Sequence, residues 1–175
     1  AHATYFFNGG KEEPYAGEER KLISSNKIAT HDLMPEMKAK EITEEIIMAA
    51  KKGEHNFILA NFANMDIVGH TGKMKETIMA AETVDSNLGR IMRGVEKSDY
   101  VLIITADHGN AEKMFNLESG QPHTAHTESL VPFIIMKKDL KLSDKGKLCD
   151  IAPTILQIMG IDKPKSMTGV SLIGE

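Results

Sequence analysis

Apolar residues recur at helical spacing in two long stretches of this chain. In residues 36–52, Met37, Ile42, Ile46, Ile47 and Ala50 fall on one face, and Gly53 supplies a stop. From about Lys73 to Lys97, Ile78, Ala81, Val84, Leu88, Ile91, Met92 and Val95 line a second helix. Gly89 interrupts that helix, and close packing against a neighbour is the expected reason. A third helix is predicted over Ile151–Met159, with Asp150 as its cap, Pro153 in its first turn and Gly160 at its end. Elsewhere the apolar positions run continuously in short blocks: Thr4–Phe7, Asn56–Ala60, Tyr100–Thr105 and Val131–Met136. Such blocks predict strands buried on both faces. Strands alternating with helices predict an α/β sandwich on a largely parallel sheet.

Composition adds little to this picture and removes several function classes. The chain has 175 residues, 41% hydrophobic and 26% charged, which suits one folded domain or the larger part of one. A net charge of -4 without a basic face argues against a nucleic-acid partner. The apolar runs are too short to span a bilayer, so no membrane partner is expected. The single cysteine, Cys149, has no partner for an intrachain disulfide and no neighbour that would activate it, which points to a reducing, cytoplasmic setting. There is no initiator Met, and Thr4–Phe7 already reads as a buried strand, so further sequence is expected upstream.

Three segments carry the chemistry. They are Asn61-Phe-Ala-Asn-Met-Asp-Ile-Val-Gly-His-Thr-Gly72, Thr105-Ala-Asp-His-Gly-Asn-Ala-Glu112 and Pro122-His-Thr-Ala-His-Thr127. The first two begin where predicted strands end, the edge at which open α/β sheets bind ligands. Carboxylate mixed with imidazole is the ligand set of Zn²⁺ or Mn²⁺ rather than of an all-oxygen Mg²⁺ or Ca²⁺ site. Asp66 and His70, four residues apart, reach one ion from a single helical turn, and His126 can close that site. Asp107 and His108 are adjacent and point apart, which favours two ions or one ligand with a supporting partner. Taken singly, an Asp-x-x-x-His is more often a surface pair and an Asp-His-Gly more often a turn; the coincidence of two such groups and a third His loop carries the inference. His2, His31, His55 and His123 read as solvated residues, and Lys73 and Lys75 as a solvated helix face. Asn64 reads equally as a turn residue or a ligand-orienting one. Glu112 reads as a partner of a ligating His or as an exposed first-turn acid.

Asn64-Met-Asp-Ile-Val-Gly-His-Thr-Gly72 resembles the metal motif of cofactor-independent phosphoglycerate mutases. So do Ile104-Thr-Ala-Asp-His-Gly-Asn-Ala-Glu112 and Thr124-Ala-His-Thr127. The likeness extends through Phe6-Phe-Asn-Gly-Gly10, Pro35-Glu-Met37, Asp150-Ile-Ala-Pro-Thr154 and Met167-Thr-Gly-Val-Ser-Leu172, essentially the whole chain. It implies an alkaline-phosphatase-like sandwich with a mostly parallel central sheet flanked by helices. Residues 1–175 would form the C-terminal part of that metal-binding domain, without its N-terminal part or the inserted substrate-binding domain. It also implies interconversion of 3-phosphoglycerate and 2-phosphoglycerate, without 2,3-bisphosphoglycerate, through a phosphoserine whose serine lies upstream. No catalytic nucleophile is then expected here, and Ser24 and Ser25 stand in the wrong context to replace it. The resemblance implies two divalent ions, commonly Mn²⁺ with Zn²⁺, Co²⁺ or Mg²⁺ as alternatives. Asp66, His70 and His126 would hold one, and Asp107 with His108 would serve the other. The implied partners are a small phosphoglycerate substrate and the remainder of the chain's own protein, which is monomeric and cytoplasmic when intact. The alternatives are another phosphomutase or phosphatase of the same superfamily, or a metal-binding fragment without activity of its own.

Overall fold

Helix α1 (Ala39–Lys52) buries Ala39, Thr43 and Ala50 along one stripe and ends at Gly53, whose φ of 67° lets its N–H close onto the Ala49 carbonyl. In chain order there follow α2 (Asn64–Gly69), α3 (Met74–Val95), β1 (Ile103–Thr105), β2 (Phe115–Asn116), β3 (Gln121–Pro122), β4 (Phe133–Ile135) and α4 (Ile151–Ile158). The computed structural model describes residues 1–174. They divide into two compact units, residues 1–100 with 108–131, and residues 101–107 with 132 onward.

In the first unit α3 packs against both α1 and α2. The buried stripe of α3 is Thr77, Ala80, Asn87, Ile91 and Val95, whereas Ile78 and Met92 of the expected face are exposed. Two polar residues can lie inside because each bonds a carbonyl one turn back, Thr77 Oγ1 to Lys73 O at 2.9 Å and Asn87 Nδ2 to Thr83 O at 2.9 Å. Gly89 does not serve the packing expected of it: a Cβ there would meet only an Arg93 nitrogen at 3.5 Å. The close approach is at Gly94, where a Cβ would lie 2.7 Å from Ile47 of α1. A 3₁₀ turn at His31–Leu33 packs on α2 and α3, and its buried Asp32 is ion-paired with Lys73, so Lys73 is not simply solvated. Strands β2 and β3 form a small antiparallel hairpin.

The Thr4–Phe7 segment is not a strand. His2–Phe6 winds into a π-helical turn, in which the Ala1 carbonyl accepts from Phe6 N at 3.1 Å. Asn56–Ala60 likewise has no strand partner among the described residues. Both blocks have strand-like composition, but a strand exists only in a ladder, and local bonds take over where no ladder forms.

In the second unit β1 and β4 pair antiparallel, Ile104 opposite Ile134. The mixture of helix and strand agrees with the expected α/β class. The ladders differ from the expected parallel sheet, because both sheets among the described residues are antiparallel. Helix α4 follows a 3₁₀ turn at Leu148–Asp150. Asp150 does not cap α4 with its side chain; its carboxylate instead accepts from Lys147 N at 2.8 Å and Val170 N at 2.9 Å. Among the described residues no helix is long and apolar enough to cross a membrane.

Candidate metal centre

Helix α2 presents Asp66 in its first turn, and His70 caps its end with its N–H on the Asp66 carbonyl at 3.0 Å. Asn64 fixes that short helix from below. It is buried, and its Nδ2 donates to the carbonyls of Pro35 at 2.8 Å and Glu36 at 2.9 Å. It braces the backbone of the helix that carries Asp66. The chain then turns at Gly72, whose φ of 70° suits glycine. A Cβ at this turn would lie 2.9 Å from Pro122. That close approach delivers the 122–126 segment to His70, and the Thr124 carbonyl accepts from His70 Nδ1 at 2.7 Å.

A carbonyl can only accept, so the neutral His70 ring carries its proton on Nδ1 and offers a lone pair at Nε2. That Nε2 lies 3.0 Å from His126 Nε2 and 3.2 Å from Asp66 Oδ1. His126 Nε2 is 3.1 Å from the same Asp66 oxygen. Ligand bonds of about 2.0–2.2 Å set donor atoms roughly 3.0–3.5 Å apart around one ion. Three donors at this spacing, one of them negative, fit a divalent transition ion.

His108 joins the same cluster. Its ring stacks on that of His126 with centroids 3.7 Å apart and planes 22° apart. Asp66, His108 and His126 bring ligand atoms within 4.8 Å of one another. The His126 ring therefore meets the rings of both His70 and His108. Asp107 belongs to the second unit, two residues beyond β1. His123 is half-buried, its Nδ1 shielded from solvent rather than solvated.

Glu112 makes the bonds that hold the two His-bearing loops together. It accepts from Asn110 N at 2.7 Å and from the Thr127 hydroxyl. The Thr127 hydrogen bond is the main reason its carboxyl is held at about 2. Thr127 N also donates to the Gly109 carbonyl at 2.9 Å. Glu112 thus acts on loop geometry rather than on a His ring. The residue that sequence reasoning passed over is Asn110, which is buried and donates its side-chain amide to Asp66 Oδ1 at 2.7 Å. Its only signal in the sequence is its place two residues after His108.

This geometry can be set beside known proteins. The chain is 52% identical over 174 residues to 2,3-bisphosphoglycerate-independent phosphoglycerate mutase 2 of Methanosarcina barkeri, covering 99% of this chain and 33% of that protein. It is 49% identical over 173 residues to the 2,3-bisphosphoglycerate-independent phosphoglycerate mutase of Shewanella pealeana, covering 99% of this chain and 34% of that protein. It thus spans about a third of the length of the curated relatives it matches. A crystal structure of Leishmania mexicana phosphoglycerate mutase at low cobalt concentration superposes with a TM-score of 0.90 at 32% identity. That match covers 99% of this chain and 35% of that one. Residues 1–163 match the family described as the Metalloenzyme superfamily, and together with a donor cluster suited to a divalent ion this establishes that the chain belongs to that superfamily.

Proposed function

We infer that the chain is the metal-binding part of a cofactor-independent phosphoglycerate mutase, which interconverts 3-phosphoglycerate and 2-phosphoglycerate by phosphoryl transfer. The observation that carries this reading is the convergence of Asp66 Oδ1, His70 Nε2 and His126 Nε2 within 3.0–3.2 Å, with His108 stacked beside them. The relatives' names supply the substrate class. In this proposal residues 1–175 belong to a larger phosphatase-like domain, and the intact protein is monomeric and cytoplasmic.

Asp66, His70 and His126 would hold one divalent ion, and Asp107 with His108 would serve a second. His108 stacks on His126, and its ligand atom lies within 4.8 Å of those of Asp66 and His126, which sets the proposed second site directly beside the first. The mixed carboxylate and imidazole donors suit Mn²⁺, with Zn²⁺ and Co²⁺ as competitors. Bound ions supply charge that lowers a hydroxyl nucleophile's pKa and neutralises phosphoryl oxygens. This chain's own part is positioning. The Thr124 carbonyl orients His70, Glu112 ties the 108–112 loop to the 126–129 loop, and Asn64 anchors α2. Phosphoryl transfer depends mostly on such positioning and charge stabilisation. The serine that accepts the phosphoryl group is assigned outside residues 1–175.

Complementation tests the reading. The 175-residue chain alone should not convert 3-phosphoglycerate, and turnover should appear once it is co-folded with the upstream part of its protein. Turnover by the chain alone would overturn the assignment of the nucleophile. A complemented protein that hydrolyses an aryl phosphate but leaves 3-phosphoglycerate untouched would point to a phosphatase instead.

A further inference from the structure

Two buried asparagines flank the cluster, and they are not equivalent. Asn64 spends both side-chain donors on main-chain carbonyls, those of Pro35 and Glu36. Asn110, only 5% exposed, donates to the Asp66 carboxylate oxygen at 2.7 Å and to the Asp66 carbonyl at 3.3 Å. That carboxylate oxygen is the atom that faces His70 Nε2 and His126 Nε2. Both acceptors on Asp66 can only accept, so the NH₂ end of Asn110 must be the end that faces it. The other end, Oδ1, is buried without a hydrogen-bond partner and points at Gly69, where a Cβ would lie 2.6 Å away. The absence of a side chain at Gly69 is what leaves room for the amide. A carboxylate oxygen has two lone-pair directions. Asn110 occupies one and leaves the other for the side on which the imidazoles converge.

We propose that Asn110 is a positioning residue for Asp66: it fixes the rotation of the carboxylate and thereby sets the affinity and geometry of the divalent-ion site. This rests on the metal reading above and extends it to a residue outside the ligand set. Partners that hydrogen-bond a ligating carboxylate typically govern metal affinity by about 10- to 100-fold.

The test is a Co²⁺ titration of the 175-residue chain followed by visible absorbance, alongside thermal unfolding of the metal-free protein. Asn110→Ala and Asn110→Asp should each weaken Co²⁺ binding by about 10- to 100-fold and alter the cobalt spectrum at saturation. Asn110→Asp keeps the side-chain volume, so it serves if the alanine variant does not fold. Gly69→Ala keeps every ligand and Asn110 itself, yet its methyl group should displace the amide and shift affinity in the same direction. Asn87→Ala, at a buried asparagine whose side chain bonds Thr83 and Arg90 of its own helix, is the bracing control, expected to lower the unfolding midpoint and leave the cobalt spectrum unchanged. Asn110 variants that bind Co²⁺ as the wild type does, or Asn87→Ala matching them in affinity and spectrum, would overturn the assignment. A wild-type chain that takes up no Co²⁺ would instead overturn the metal reading on which it rests.

Discussion

Asp66 in the first unit and Asp150 in the second are both held by hydrogen bonds, yet their surroundings are opposite in kind. Asp150 is met by main-chain donors. Lys147 N bonds one oxygen and Val170 N the other, and Cys149 Sγ lies 3.7 Å away. Its own carbonyl accepts from the Thr154 hydroxyl at 2.6 Å, and that hydroxyl accepts from Leu172 N at 2.8 Å. The Val170 amide in particular holds the Asp150 carboxyl below the usual range. Asp66 has one side-chain amide behind it and imidazole nitrogens in front. A carboxylate saturated by backbone amides is a fastener. A carboxylate facing other lone pairs is one corner of a cation site. The same residue type serves both ends, and the partner atoms decide which.

The sharpest way to break this contrast is to remove the charge at each aspartate. Asp66→Asn, or His70→Ala, should lower divalent-ion affinity by more than about 100-fold, read as metal content after mild dialysis. Equal metal in wild type and variant would make Asp66 another fastener. A smaller effect is expected in the second unit. Thr154→Val leaves the Leu172 N–H without its acceptor in a fully buried position and should cost about 1–3 kcal/mol in urea unfolding, with Co²⁺ affinity unchanged. A change in that affinity would show that the two regions are coupled.

Acid should distinguish the pair further. Because the folded-state value of Asp150 lies below its ordinary value near 3.9, its contribution is present above that pH and is lost as pH falls through the lowered value. Asp150→Asn should therefore be less stable near neutrality and should lose less on acidification, measured as unfolding midpoints between pH 6 and pH 3. A parallel loss in both proteins would remove Asp150 from the acid response. The smallest effect calibrates the rest. Gly89→Ala touches neither aspartate and meets only Arg93, so it should stabilise the chain by up to about 1 kcal/mol. Gly94→Ala should destabilise it through the clash with Ile47.

Features fixed by short-range spacing were legible in the sequence. The Asp66–His70 pair was readable because four residues make one helical turn, and α1 and α3 because their periodicity is long. The buried face of α3 was not, since Thr77 and Asn87 become buriable only by bonding their own helix. The Thr4–Phe7 and Asn56–Ala60 blocks misled because a strand depends on a partner that composition cannot supply. Asn110 escaped notice for a related reason: its bond to Asp66 spans 44 residues and exists only after α2 meets the 108–112 turn. The stacking of His108 on His126 was equally invisible, since it depends on the Gly109–Thr127 bridge between two loops.

The side chains of Asp66, His70 and His126 are 31%, 39% and 50% exposed. As ligands of the proposed site, side chains this open to water would set no tight cage around an ion, so exchange with the surrounding pool should be quick. Under those conditions selection by fit is weak, and the intrinsic ranking of the metals takes over. That ranking puts Mn²⁺ below Co²⁺ and Zn²⁺ for nitrogen and oxygen donors. The ion found in this chain would then report the metal supply of its surroundings as much as the shape of the site.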